Sequence, residues 1–335
     1  MAGVPGLLIL SAAPDPDFVF ALDDGTRLPA RVWRPAGPPK AIILALHGFT
    51  DSRDAWVLPA QRFTAAGYEV YAPDQRGFGA TSSRGQWGGA QRMVNDAQNM
   101  LRILKARSPR VPLVLIGESM GGAITLCVRG QSPDAADHYI LSSPAVWGFG
   151  QMEWGVRAAL STAELVAPHW HFSGKSAPRD RVLTDNRAAL LAMADDPLTI
   201  HVASVEMLYG LTELMSLAQE AAGGLRNGPP VLMLVGQKDR VVPPAAYATA
   251  YRKMAGAVRL GVYLNGYHLL LRDRARALPI GDILAWLEDR DAYLPSGADI
   301  NAAVFLASAT WEAKVSGLAP AASWEGVGAP LAYPW

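Results

Sequence analysis

Several short runs in this chain are apolar without interruption, among them AIILAL at 41–46, LVLI at 113–116 and VLMLV at 231–235. A strand with one wet face alternates polar and apolar residues, whereas an unbroken run is buried on both faces, as in a parallel sheet. Parallel neighbours need long crossover connections, and helices usually supply them. The segments between the runs have helical spacing at 54–66, 90–106, from Met120 onward, 245–254 and 280–289. Further short strands are expected at 69–72, 139–141 and 260–264, after an opening hairpin in which 18–22 and 28–33 flank Asp24-Gly25. The expected class is α/β, with a mostly parallel central sheet flanked by helices.

The alternation stops after Ser143-Pro144 and resumes near residue 231. Residues 145–226 show no convincing strand and are rich in Ala, Leu, Met and Trp at helical spacing. They are expected to form a helical cap inserted into the sheet domain. The organisation that follows is an N-terminal arm at 1–16, a core at 17–144 and 227–291, a cap at 145–226, and a Pro-, Gly-, Ala- and Ser-rich tail at 292–335 with no legible role.

Thirty basic residues balance thirty acidic ones among 335, half of the residues are hydrophobic and 18% are charged. There is no global field to draw a nucleic acid, and none is expected as a partner. The single cysteine, Cys127, excludes an intramolecular disulfide and a multi-cysteine zinc site, and reads as a buried, inert thiol. No apolar run reaches the ~18 residues that span a bilayer. Residues 1–13 are apolar but precede the first basic residue, Arg27, so they resemble a mobile arm more than a signal peptide. Cytoplasmic residence is expected, with export or membrane association left open.

Gly117-Glu118-Ser119-Met120-Gly121 is G-x-S-x-G between a buried strand and a helix. In that context it is the nucleophile elbow of the α/β-hydrolase fold: a tight strand-to-helix turn lifts the Ser119 hydroxyl out of the sheet. A serine needs a base, and the base needs an orienting acid; in this fold they follow in the order Ser, acid, His. Of the six histidines, only His268 follows the last expected strand, in a glycine-bearing loop. His169, His171 and His201 fall in the expected cap. The strand at 231–235 feeds Gly236-Gln237-Lys238-Asp239, which makes Asp239 the acid; its nearest rival, Asp273, lies beyond His268 and breaks the order. Two backbone amides, of Met120 and of Phe49 in His47-Gly48-Phe49, are the expected oxyanion hole. His47, Asp74 and Arg76 read as loop-fixing residues, and the pair His169 and His171 is a poor metal site.

These residues resemble the monoacylglycerol lipase and lysophospholipase group of α/β-hydrolases, which shares its domain with proteins named serine aminopeptidases. The matching pieces are His47-Gly48-Phe49, Asp74-Gln75-Arg76-Gly77-Phe78-Gly79, Gly117 to Gly122, the Gly236 to Pro243 loop, and His268-Leu269-Leu270. They span about residues 18–289. The resemblance implies a cap over the site and hydrolysis of acyl esters without a cofactor. Two departures stand out: Glu118 occupies the position where the group commonly has His, and the tail has no counterpart.

Trp147, Phe149, Met152, Trp154, Leu160, Leu165, Trp170 and Phe172 in the expected cap either pack it on itself or line an acyl channel and touch a lipid surface. The expected function is hydrolysis of a monoacyl lipid, with a small acyl ester or lipid as partner and transient membrane contact through the cap left open. An aminopeptidase or amidase would need a cap carboxylate for a substrate ammonium, and Glu153, Glu164 and Glu206 are available. A non-enzymatic binding protein of this fold would show a broken triad.

Overall fold

Residues 15–173, 182–225, 227–254 and 256–307 are described by the computed structural model. Residues 1–14 of the expected arm, 174–181 of the expected cap and 308–335 of the expected tail lie outside them.

The apolar runs at 41–46, 113–116 and 231–235 become central strands. β1 (Phe18–Ala21) and β2 (Arg27–Trp33) form the opening hairpin. β3 (Ile42–Leu46), β4 (Glu69–Pro73), β5 (Leu113–Glu118) and β6 (His138–Ser142) follow. After β7 (His171–Ser173) and β8 (Val202–Ser204) come β9 (Val231–Gly236) and β10 (Val258–Tyr263). Eight of them make one sheet in the order β1-β2-β4-β3-β5-β6-β9-β10. Only the β1–β2 and β2–β4 pairings are antiparallel. The period of two divides the buried side chains between two cores. Ile42, Leu44 and Leu46 face one, and Ile43 and Ala45 face the other.

The crossovers are α1 (Val57–Ala65), α2 (Ala90–Arg107) and α3 (Met120–Gln131). In the insertion are α4 (Trp154–Val166), α5 (Arg187–Asp195) and α6 (Val205–Gly224), and beyond it α7 (Pro244–Lys253), α8 (Ala277–Glu288) and α9 (Ala298–Ala307). The insertion leaves the sheet after β6 and rejoins it at β9, the strand beside β6. It can therefore be elaborated without disturbing the order of the sheet.

Two expectations are corrected. The insertion does contain strand: β7 and β8 pair antiparallel from His171↔Ser204 to Ser173↔Val202. Three residues are too short to establish a period of two. The residues read as a tail from 292 onward include α9, whose Ala298 and Ala302 are buried against the sheet. Its sequence, ADINAAVFLA, buries Ala298 and Ala302, packs half-buried Phe305 and Leu306 against the core, and shows no polar-apolar stripe. Gly261 in β10 lies under this region: a Cβ there would stand 3.0 Å from Leu234 Cδ2 and 3.1 Å from Leu294 Cδ1, and in ordinary contact with the Ala298 Cβ at 3.4 Å.

Candidate active site

β3 and β5 are neighbours, and the connection after β3 leads to β4 on one side while the connection after β5 leads to β6 on the other, so the crevice at their carboxyl ends is the topological switch point where ligands bind in open α/β sheets. Ser119 stands there, between β5 and α3. Its φ of 53° and ψ of −112° are in a region that costs a side-chain-bearing residue about 1–3 kcal/mol. Neighbouring backbone holds it: the Ser119 N–H donates to the Ser142 carbonyl at 3.0 Å, and its own carbonyl accepts from Ala145 N–H at 2.9 Å. The glycines of the motif are steric necessities. A Cβ at Gly117 would overlap the Gly121 carbonyl, and one at Gly121 would overlap the Leu46 carbonyl.

Met120 is the first residue of α3, so its amide is among the donors that a helix N-terminus leaves free. A Cβ on Gly48 would stand 3.4 Å from the Ser119 Cβ, which brings the loop carrying Phe49 against the serine. The two loops expected to supply oxyanion donors thus meet at Ser119.

The three residues expected to act together are adjacent. His268 Nε2 is 2.9 Å from Ser119 Oγ, and His268 Nδ1 is 2.8 Å from Asp239 Oδ2. Asp239 also accepts hydrogen bonds from the Val241 amide at 2.8 Å, the Val242 amide at 3.2 Å and the Tyr247 hydroxyl at 2.5 Å. Burial opposes ionisation of Asp239, but His268 and these donors outweigh it, and its carboxyl is held below the ordinary range. Burial likewise opposes a charge on His268, yet Asp239, and behind it Glu118, raise the imidazole above its ordinary value. The tyrosine on the acid was not foreseen. Tyr247 lies on α7, and no local pattern distinguishes it from a packing residue.

A second buried cluster adjoins the first. Arg272 Nη2 is 2.5 Å from Glu118 Oε2 and 2.7 Å from Asp51 Oδ2. Glu118 is conspicuous in sequence as the residue before Ser119, but nothing there links it to Arg272 or Asp51. Burial pushes the Glu118 carboxyl up, against the pull of Arg272.

The other flagged residues have structural partners. His47 Nδ1 lies 2.8 Å from the Gly48 carbonyl, and its Nε2 accepts the Gln75 amide at 3.1 Å; burial holds its pKa down. Asp74 pairs with buried Arg53 at 2.7 Å, and Arg76 bridges Asp96 and Asp24. Asp273 accepts from Thr184 Oγ1 at 2.5 Å and from the Tyr267 amide at 2.8 Å, and burial raises its carboxyl to about 7. The Cys127 thiol is buried and pushed up to about 12, which leaves almost no thiolate. Among the described residues, no group of three or more His, Cys, Asp or Glu is disposed to hold a metal ion.

The insertion is bonded to the loops that carry the site. Ile200 N–H donates to the Thr50 carbonyl, Leu269 N–H to the Leu183 carbonyl, and the Asn186 amide to the Arg272 carbonyl, all at 2.8 Å. Its apolar side chains have two fates. Trp147 and Met152 pack on the main core, and the Phe149 ring lies 5.1 Å from that of Tyr209. Trp154 and Leu165 on α4 are each 84% exposed, and Trp170 is 64% exposed. A cavity of about 510 Å³ separates α5 from α1, lined in part by Val57, Leu58, Ala192 and Met193.

Residues 37–275 match the family described as serine aminopeptidase, S33. The chain is 28% identical to a monoacylglycerol lipase of Mycolicibacterium smegmatis over 80% of its own length and 95% of the relative's. It is 27% identical to the monoglyceride lipase of Rattus norvegicus, over 80% of this chain and 89% of that one. Among solved structures, a soluble variant of the Saccharomyces cerevisiae monoglyceride lipase in complex with a substrate analog superposes with a TM-score of 0.70 at 19% identity, covering 86% of this chain and 99% of that one.

Proposed function

This chain belongs to the serine aminopeptidase S33 family, and from that premise we propose that it is a serine carboxylic-ester hydrolase cleaving monoacyl lipids, monoacylglycerol or lysophospholipid, through an acyl-enzyme on Ser119. The observation that carries the reading is the unbroken chain Ser119 Oγ, His268, Asp239, with links of 2.9 and 2.8 Å, at the switch point of the sheet.

The chemistry follows from that geometry. Neutral His268 Nε2 takes the Ser119 proton as Oγ attacks the ester carbonyl carbon. Asp239 accepts the Nδ1–H, fixes the tautomer and stabilises the imidazolium. The amides of Phe49 and Met120 receive the developing oxyanion. His268 then returns its proton to the departing alcohol, glycerol or a glycerophospho-alcohol. In the second half-reaction it deprotonates a water that attacks the acyl carbonyl, then returns that proton to Ser119 Oγ as the acyl–Oγ bond breaks and the fatty acid leaves. No cofactor takes part.

The lipid substrate is supported by the names of the similar proteins and by the insertion. α4 buries none of its residues and displays Trp154, Leu165 and Val166. Transient contact of this face with a lipid surface is part of the proposal, because such an amphipathic surface gains free energy when it enters the headgroup boundary. Among the described residues no helix is long and apolar enough to cross a membrane. Cytoplasmic residence completes the reading, in keeping with a chain whose single cysteine is buried.

The test is a substrate series: acetate, octanoyl and longer monoacylglycerols, a lysophospholipid and an aminoacyl amide. Each buried methylene is worth about 0.8 kcal/mol, so burying the additional methylenes of octanoate should raise kcat/KM on the order of 10³-fold over acetate. An ammonium in the same channel costs free energy unless a carboxylate pairs with it. Faster cleavage of the aminoacyl amide than of any acyl ester would overturn the lipid reading and leave the triad standing.

A further inference from the structure

The buried cluster beside the triad joins three segments, and each segment carries one part of the site. Glu118 ends β5 and precedes Ser119. Asp51 lies on the loop that carries Phe49. Arg272 closes the helical turn Leu270–Arg272 that follows His268. The side chains of all three are less than a tenth exposed. A single atom, Arg272 Nη2, makes both contacts, to Asp51 Oδ2 at 2.7 Å and to Glu118 Oε2 at 2.5 Å. No other ion pair among those between described residues joins the nucleophile strand to the turn after the base.

A bridge of this kind is a poor way to stabilise a fold. Two carboxylates and one guanidinium lose their hydration, and well-packed apolar residues often serve as well or better. Within the protein the bridge does not satisfy every polar atom: Glu118 Oε1 and Arg272 Nε are buried with no hydrogen-bond partner among protein atoms. Unpaired polar atoms of that kind cost free energy. What the bridge does supply is direction. A charge-assisted contact holds its partners at a defined separation, and displacing reacting groups by about 1 Å can cost on the order of 10²-fold in rate.

We propose that Arg272 is a positioning residue for the hydrolysis: through Glu118 and Asp51 it holds the nucleophile, the base and the oxyanion loop in mutual register. The inference rests on the serine-hydrolase reading of Ser119 and not on the identity of the acyl substrate. Lysine at 272 would keep a cation able to meet both carboxylates from one nitrogen, and so should preserve most of the register.

The experiment uses the full chain, a short soluble ester such as p-nitrophenyl acetate, and a fluorophosphonate probe of Ser119. Arg272→Met alone would strand two buried acids, so it is paired with Glu118→Gln, which leaves the net charge unchanged. In a folded double variant, kcat and the rate of probe labelling should fall on the order of 10–10²-fold, with KM within about twofold of wild type. Arg272→Lys should recover most of that loss. If the double variant does not fold, Asp51→Asn and Glu118→Gln decide singly, each lowering kcat several-fold at unchanged KM. Wild-type kcat and labelling rate in these folded variants, or an effect confined to KM, would overturn the inference. Failure of the probe to label wild-type Ser119 would instead remove the reading on which it stands.

Discussion

The strands of the sheet and the first two helices of the insertion are both apolar, yet they use that character in opposite ways. β3, β5 and β9 bury every residue. α4 and α5 bury none, and α4 turns two of its largest apolar side chains outward. α6 is intermediate, since it buries Met207, Leu214 and Ala218 and lies against α3. Fully burying a Leu or Val is worth about 1.5–3 kcal/mol, so the strands hold the elbow rigidly enough to keep Ser119 at a positive φ. The outer helices hold little by burial, and the segments flanking α5 are joined to the site through hydrogen bonds at its loops. In the proposed function, chemistry thus sits on the deeply buried part, and contact with an apolar substrate on the exposed part.

The sharpest way to break this comparison is at the serine. Ser119→Ala should lower turnover on the order of 10⁶-fold, because the acyl-enzyme cannot form. The thermal midpoint should stay within a few degrees, since the strands hold the elbow and not its hydroxyl. Single-turnover kinetics beside calorimetry would check both. A large loss of stability would mean that fold and nucleophile are not separable.

A smaller effect is expected from pH. Only neutral His268 can act as base, and Asp239 with Glu118 raises its pKa above 6.5 against the effect of burial, while Arg272 opposes them. Activity on a soluble ester should therefore be absent in acid and rise about tenfold per unit below an inflection that lies above 6.5. The imidazolium is favoured in the folded state, so the stability that His268 contributes is present at low pH and is lost as pH rises through that same inflection. An inflection below 6.5 would show that burial outweighs the carboxylates.

The smallest effect should come from the outer helix. Replacing Trp154 and Leu165 by Ser removes side chains that are each 84% exposed, so thermal stability should change little. Turnover of monoacylglycerol presented in vesicles should fall several-fold, while turnover of a soluble acetate ester should stay as it is. Equal losses on both substrates would mean that α4 supports the site and does not meet a surface, and the contrast between the two regions would narrow.

The amino-acid sequence determined whatever is local. Short unbroken apolar runs that alternate with helical segments and end in turn residues specify strands buried on both faces, whereas the equally apolar 188–194 forms α5. Gly117 and Gly121 specify the elbow, because nothing larger fits against the carbonyls of Gly121 and Leu46. The places of Asp239 and His268 after the ends of β9 and β10 follow from the same alternation. Only the tertiary structure decided the rest. β7 and β8 are three residues long and owe their existence to each other. α9 packs Ala298, Ala302 and half-buried Phe305 and Leu306 onto the core, with no stripe to betray a buried face. Tyr247 on Asp239, and Arg272 between Asp51 and Glu118, are contacts between polar side chains on separate segments. Such contacts leave no period in the chain, because a hydrogen bond is set by where two atoms meet in space, and that place is fixed by the packing of the whole sheet.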